Sequence, residues 1–316
     1  MKFATLSHLL NKSNIKHIPP AWIKNDLIIS PELDINKTKG YVIALNLLPK
    51  QIMELPRERV QDKILNAALF AQNQLGVEII QLGALTTSVT NGAIWLAKQK
   101  KYTGYVTHGD SYTASVAVQA VLKALEKPNK NSENLNLAII GAYGIIGEAI
   151  SKILTPQFKY SILIGRRKEK LGELETKIKG NFETTIDLKT KNSDVIITAT
   201  SHPTALLNQH HLKENAIVVD VSQPPNLTKE ICDLRKDVMR IDGGFVDFPI
   251  IYPMPIPGMP MGKNFACIAE VIMQAMENEE KNHVGSIDLN HLKKTERWAK
   301  KYGYTLKELT NFGKKI

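Results

Sequence analysis

The stretch that decides the fold is Leu135–Gly147, LNLAIIGAYGIIG. A short uncharged apolar run leads straight into Gly141-Ala142-Tyr143-Gly144-Ile145-Ile146-Gly147, and helically spaced apolar residues continue to Leu154. Such a run, bounded by glycine, predicts a buried strand followed by a helix. The glycines have separate tasks: a tight turn, close backbone approach to a pyrophosphate, and close packing of helix on strand. Phosphates would sit at the helix N-terminus, where unpaired N–H groups and the helix dipole favour negative charge. The expected cradle is Gly141, Tyr143, Gly144, Ile145, Ile146 and Gly147.

Reading toward the C-terminus, YSILIGR predicts a second strand, Glu169–Ile178 a helix, and SDVIITATS, AIVVDVS and VMRIDGG further strands. Apolar strands alternating with helices imply a parallel, doubly wound sheet of Rossmann type. Ligands in such sheets lie at the carboxyl ends of the strands. Thr200, Ser201, Val221, Gly243 and Gly244 are therefore expected to complete the cofactor groove. The second strand ends Gly165-Arg166-Arg167-Lys168, with two guanidinium groups where an NAD site carries a carboxylate. That pattern suits a 2′-phosphate, so the expected cofactor is NADPH.

Reading toward the N-terminus, Tyr41–Leu47 and Val77–Leu82 predict strands, and Val60–Leu75, Ser88–Lys100 and Ser111–Leu125 predict helices. A polar stretch, Lys127–Asn134, reads as a linker. The expected organisation is an α/β substrate domain over residues 1–130 and an NADPH-binding domain over 131–250. Residues 251–316 are expected to carry a cysteine helix and basic helices that return to the first domain. The loop Tyr252–Met261 offers Met254, Ile256, Met259 and Met261, which suit either an alkyl chain or packing at a domain interface.

The 316 residues are 43% apolar and 23% charged, a globular balance. No apolar run is long enough to span a membrane. Two cysteines, Cys232 and Cys267, exclude a disulfide framework and point to a reducing cytoplasm. The net charge is +10, with nine Lys or Arg against three Asp or Glu from Lys281 to Ile316. This suits an acidic partner or is simply a solvated face.

Cys267 follows Gly262-Lys263-Asn264-Phe265-Ala266. With Asn264 as the expected N-cap, it falls in the first helical turn, where the dipole and Lys263 would favour thiolate. That is the setting of a thioester-forming nucleophile, and a buried structural cysteine is the alternative. Cys232 has no such setting and reads as structural.

Five matching stretches now stand together: Leu82–Thr87 (LGALTT), Thr107–Ala114 (THGDSYTA), the Gly141–Gly147 turn, Asp242-Gly243-Gly244, and Phe265–Glu270 (FACIAE). Through them the chain resembles the long-chain acyl-(acyl-carrier-protein) reductases of cyanobacteria from about Leu82 to Tyr304. The first 80 residues match only in outline, and the C-terminus here is more basic. The resemblance implies a catalytic Cys267 that takes the acyl group from a carrier, and hydride from NADPH that releases an aldehyde without a metal. His108 is the implied proton donor or acceptor, with a local capping role as its alternative. The implied substrate is an acyl group on an acidic carrier protein or on coenzyme A. Nucleic acid is not favoured, and peripheral membrane contact stays open.

Three rivals remain. A glutamyl-tRNA reductase-like enzyme shares Ile162–Arg167 and Val219–Ser222 but needs a cysteine in its N-terminal domain, and none precedes Cys232 here. A shikimate dehydrogenase-like enzyme needs an N-x-T-x-P-x-K signature that the N-terminal half lacks. The third is a protein that binds NADPH without turnover.

Overall fold

The structure is a computed structural model. It describes residues 1–9, 16, 18–24, 26–126, 130–202, 204–249 and 262–316. The loop Tyr252–Met261, read above for an alkyl chain, lies outside them. The chain divides into two compact units: Met1–Tyr112 with Asp247–Thr305, and Thr113–Val246 with Leu306–Ile316.

In the first unit the strands are β1 (Phe3–His8), β2 (Ile23–Lys24), β3 (Leu27–Ile29), β4 (Leu33–Ile35), β5 (Thr38–Leu45), β6 (Ile79–Leu82) and β7 (Tyr105–Thr107). They form one sheet in the order β2-β3-β5-β1-β6-β7, with β4 also on β5. The β5-β1-β6-β7 portion is parallel, and β2, β3 and β4 join it antiparallel. The central β1, FATLSH, is almost wholly buried, which is why it lacks the alternation that marks a half-exposed strand. The helix Arg57–Leu75 buries Val60, Ile64, Ala67, Ala68 and Ala71, spaced three and four apart, against this sheet.

One expected element breaks. The helix read over 88–100 is instead two short pieces, Leu85–Val89 and Ile94–Ala97. Asn91, Gly92 and Ala93 between them all take positive φ, which no α-helix accommodates.

The second unit holds β8 (Asn136–Ile140), β9 (Tyr160–Ile164), β10 (Phe182–Thr185), β11 (Val195–Thr198), β12 (Ile217–Asp220) and β13 (Met239–Asp242). Every pair is parallel, in the order β10-β9-β8-β11-β12-β13. Numbered within the unit this is 3-2-1-4-5-6, the doubly wound Rossmann order, with its switch point between β8 and β11. The unit is therefore a Rossmann-type α/β domain, as expected. The edge strand β10, FETT, escaped the sequence reading because it is polar and only half-buried.

The last eleven residues close this second unit. Thr310–Asn311 and Lys314–Lys315 form a two-stranded hairpin. Asp242, at the end of β13, accepts the Thr310 hydroxyl (2.8 Å) and the N–H groups of Phe312 (3.2 Å) and Gly313 (2.8 Å). Arg240 bonds Asp242 (2.7 Å) and the Asn311 side chain (3.1 Å), and lies over the Phe312 ring at 4.0 Å.

Candidate functional site

In the second unit the glycine turn is as tight as its spacing demands. Gly141 takes φ +86°, and a Cβ there would lie 2.3 Å from the Ala199 carbonyl oxygen. A Cβ on Gly147 would lie 2.1 Å from the Gly141 oxygen. Gly144 caps the helix Ile145–Leu154, whose opening N–H groups, those of Ile145, Ile146 and Gly147 among them, have no acceptor within the helix. The cradle thus has the two properties a pyrophosphate requires, close backbone approach and convergent donors.

At the end of β9 the Tyr143 ring covers Gly165, and the Arg167 guanidinium sits 5.5 Å from that ring's centre. Arg166 and Arg167 are both exposed. Beyond β11, the Thr200 N–H donates to the Ser222 hydroxyl (3.1 Å), and Ser201 next to it is exposed. Val221 follows the carboxyl end of β12, and Gly243 and Gly244 follow that of β13. The expected cofactor residues thus share one edge of the sheet.

Sequence reasoning passed over Asp220, which organises that edge. Its buried carboxylate accepts the Thr198 hydroxyl (2.5 Å) and the N–H groups of Asn226 (2.9 Å), Leu227 (3.1 Å) and Ser222 (3.3 Å). Burial raises its pKa, opposed by Arg240 and these donors.

In the first unit Cys267 is the second residue of the helix Ala266–Met276. The helix begins after Phe265, and Asn264 is buried in the strand Lys263–Phe265, so it is not the N-cap expected. Lys263 is also otherwise engaged, bonding Asp247 at 2.9 Å. The folded surroundings oppose the thiolate expected from that setting. Burial pushes the Cys267 thiol up to about 12, and Asp110 and Glu270 push the same way. The N–H groups of Cys267 and Ile268 favour the anion but do not outweigh this.

Gly109 brings the partners. It takes φ +71°, and a Cβ on it would lie 2.8 Å from both Cα and Cβ of Cys267. The turn His108-Gly109-Asp110 is thereby pressed against the cysteine. His108 is buried; its Nδ1 accepts the Asp110 N–H at 2.9 Å, so the neutral ring carries its proton on Nε2. Burial lowers its pKa to about 4, leaving it an uncharged donor at neutral pH. Asp110, with a carboxyl oxygen 3.7 Å from His108 Nδ1, is raised well above the usual carboxylate range by burial and by Glu270.

Glu270 is fully buried one turn after Cys267. It accepts the Tyr112 N–H at 2.7 Å and meets His291 Nε2 at 3.2 Å. Burial alone would raise its pKa, but His291, His108 and the Tyr112 N–H hold it low and ionised. Asp110, Glu270 and His291 were missed because elements distant in sequence bring them together. The C-x-x-E spacing and the THGDSYTA stretch were the signals the sequence held for Glu270 and Asp110.

Comparison with known proteins finds likenesses over parts of the chain. Residues 123–243 match the shikimate/quinate 5-dehydrogenase family profile. A long-chain acyl-(acyl-carrier-protein) reductase of Synechococcus elongatus (strain ATCC 33912 / PCC 7942 / FACHB-805) is 25% identical over 256 residues, 77% of this chain and 74% of the relative. An aminotransferase, PigE, of Serratia sp. (strain ATCC 39006) is 24% identical over 254 residues, 76% of this chain. The chain spans only 29% of that relative's length. Among solved structures, the nucleotide-binding domain of glutamyl-tRNA reductase from Thermoplasma volcanium covers 40% of this chain and 84% of its own (24% identity, TM-score 0.31). L-tryptophan dehydrogenase from Nostoc punctiforme covers 96% and 80% (14% identity, TM-score 0.46). Neither superposition bears on the chemistry. The family profile and the Synechococcus relative support an NAD(P)-dependent oxidoreductase that takes a nicotinamide cofactor. Among the described residues no helix is long and apolar enough to cross a membrane.

Proposed function

We propose that the protein reduces an acyl thioester to an aldehyde with NADPH, through an acyl group held on Cys267. The observation that carries this reading is the seating of Gly109 on Cys267, which sets His108 and Asp110 beside a thiol in the first turn of a helix. The Synechococcus relative, a reductase of acyl carrier thioesters by name, agrees with it. The shikimate/quinate profile stops at residue 243 and does not reach the cysteine.

A thiol with its pKa near 12 needs a base. Asp110 is that base, because the same burial that weakens the thiol as an acid strengthens the carboxylate as a proton acceptor. As Sγ bonds to the acyl carbon, the carrier's C–S bond breaks, and the proton passes through Asp110 to the departing thiolate. The N–H groups of Cys267 and Ile268 stabilise the attacking sulfur, and the Nε2–H of neutral His108 donates to the carbonyl oxygen. Arg166 and Arg167 would hold the 2′-phosphate of NADPH, which when bound would supply the hydride. An acidic carrier protein is the proposed donor of the acyl group, with coenzyme A thioesters as the smaller alternative.

Intact-mass spectrometry after incubation with short and long acyl-carrier thioesters, without NADPH, tests the reading. An acyl mass shift is expected that is absent in Cys267→Ala and is discharged as aldehyde when NADPH is added. Asp110→Asn should slow adduct formation by about 10²–10⁴-fold. No adduct with any chain length, in protein that still binds NADPH, would exclude covalent catalysis.

A further inference from the structure

Behind the cysteine helix the first unit gathers three side chains that the scheme above leaves unused. Glu279 and His283, four residues apart, lie on the connection after the helix Ala266–Met276. His291 comes from the helix Leu289–Tyr302. One ligating atom from each lies within 4.8 Å of the other two. His283 Nε2 faces Glu279 Oε1 at 3.7 Å, while Lys294 takes the other carboxylate oxygen, Oε2. The two imidazole rings stack with centroids 3.3 Å apart and planes 8° apart.

The histidine nitrogens show what the cluster suits. His283 is 8% exposed and His291 4%. His283 Nε2 and His291 Nδ1 are buried and have no hydrogen-bond partner among the described residues. Buried polar atoms are nearly always paired, so two orphaned nitrogens on adjacent rings, beside a carboxylate, point to a ligand they share. His291 Nε2 meets Glu270 Oε1 at 3.2 Å, which puts that ring's proton on Nε2 and its lone pair on Nδ1. A carboxylate on the far nitrogen is how a metal-binding histidine is held in its tautomer and orientation. Glu270 in turn accepts the Tyr112 N–H at 2.7 Å, so the support is itself fixed.

Donor types and spacing indicate the ion. Two imidazoles and one carboxylate make a zinc-binding set that leaves a fourth position for water. With bonds of about 2.0–2.1 Å, neighbouring donors of a tetrahedral site stand about 3.3 Å apart. The ring spacing matches that separation. Parallel rings aim their lone pairs side by side, so capture of an ion tilts the rings until the two nitrogens converge, and the stack opens on the far side. Glu279, with 21% of its side chain exposed, stands at the solvent edge where an ion would enter.

We propose that Glu279, His283 and His291 form a zinc site, with Glu270 supporting His291 from behind and water as the fourth ligand. The ion ties segments together and touches no reacting atom. The His283 N–H donates to the Val106 carbonyl (2.9 Å), and its own carbonyl accepts the His108 N–H (3.1 Å). Zinc on the His283 side chain therefore fastens the segment that flanks β7 and the His108 turn to the helix Leu289–Tyr302. The site does not depend on the acyl reading of Cys267.

The test uses untagged full-length protein, stripped with a chelator, dialysed and titrated with zinc chloride, its metal content read by elemental mass spectrometry. Wild type should take up one equivalent with a Kd of about 1 μM or tighter. Cobalt(II) in place of zinc should give the strong visible absorption of a tetrahedral site. The His291 ring meets Trp298 edge-on at 5.7 Å, so opening of the stack should change the tryptophan fluorescence of wild type but not of Trp298→Phe. Glu279→Gln, at the most accessible ligand, should weaken binding by about 100-fold or more, as should His283→Gln, whereas Cys267→Ala should keep the full equivalent. Binding that survives in Glu279→Gln and vanishes in Cys267→Ala would put the ion on the thiol and overturn the site. No uptake by wild type at about 100 times that Kd would leave the two nitrogens to water and overturn it as well. Neither result bears on the acyl-enzyme.

Discussion

Arg166 and Arg167 show how much a single residue type can decide. Both guanidinium groups are exposed at the end of β9, where the sequence Gly165-Arg166-Arg167-Lys168 carries no carboxylate. Hydrogen bonds to a charged group contribute about 1.5–3 kcal/mol each. Arg166→Ala with Arg167→Ala should therefore raise the Kd for NADPH by about 30-fold or more and leave that for NADH within about threefold, measured by fluorescence titration. Equal losses for both cofactors would remove the 2′-phosphate assignment. Cys267 teaches the opposite lesson. Its place in a helical turn was legible in FACIAE, but the sign of its pKa shift was not. Helix dipole and Lys263 are neighbours in sequence, whereas the burial, Asp110 and Glu270 that outweigh them belong to the folded chain. His108 was visible as a polar residue in THGDSYTA, yet only the bond from the Asp110 N–H to its Nδ1 makes it a donor.

Among the elements, the strands of the Rossmann unit were legible because burial on both faces leaves a continuous apolar run bounded by glycine or a polar residue. The first unit was harder to read. Its antiparallel strands β2, β3 and β4 are two or three residues long, too short for any periodicity. The helix Leu289–Tyr302 carries a prediction of its own. It buries Leu292, Thr295, Trp298 and Ala299, and exposes Lys293, Arg297 and Lys300 along one face. Lys294 and Lys301 on its flank are paired with Glu279 and Glu277. Exposed like charges of this kind govern encounter with an acidic partner more than stability. Reversing Lys293, Arg297 and Lys300 to Glu should raise KM for an acyl-carrier-protein substrate by tenfold or more, flatten its salt dependence, and leave KM for the coenzyme A thioester within about twofold. Equal effects on both substrates would assign the helix to something other than carrier docking.

At the scale of the whole molecule, the chain begins in one unit, builds the other, returns, and ends in the second. Arg240 is 2% exposed and lies between Asp220 and Asp242, both buried. Removing one partner of a buried ion pair costs about 3–5 kcal/mol, because the remaining charge is left without compensation. Arg240→Met should lower the denaturant midpoint of the cofactor-binding unit and weaken NADPH binding, while alkylation of Cys267 under native conditions stays unchanged. A denaturation curve that superimposes on wild type would show that the hairpin holds Asp242 adequately without the arginine.

The hairpin at Thr310–Lys315 makes the cofactor-binding unit discontinuous in sequence. A fragment cut at residues 113–246 carries every glycine and arginine assigned to the nucleotide, yet exposes Asp242 and Phe312's side of Arg240 to water. A change in the hairpin would act first on Asp242 and Arg240 near the end of β13.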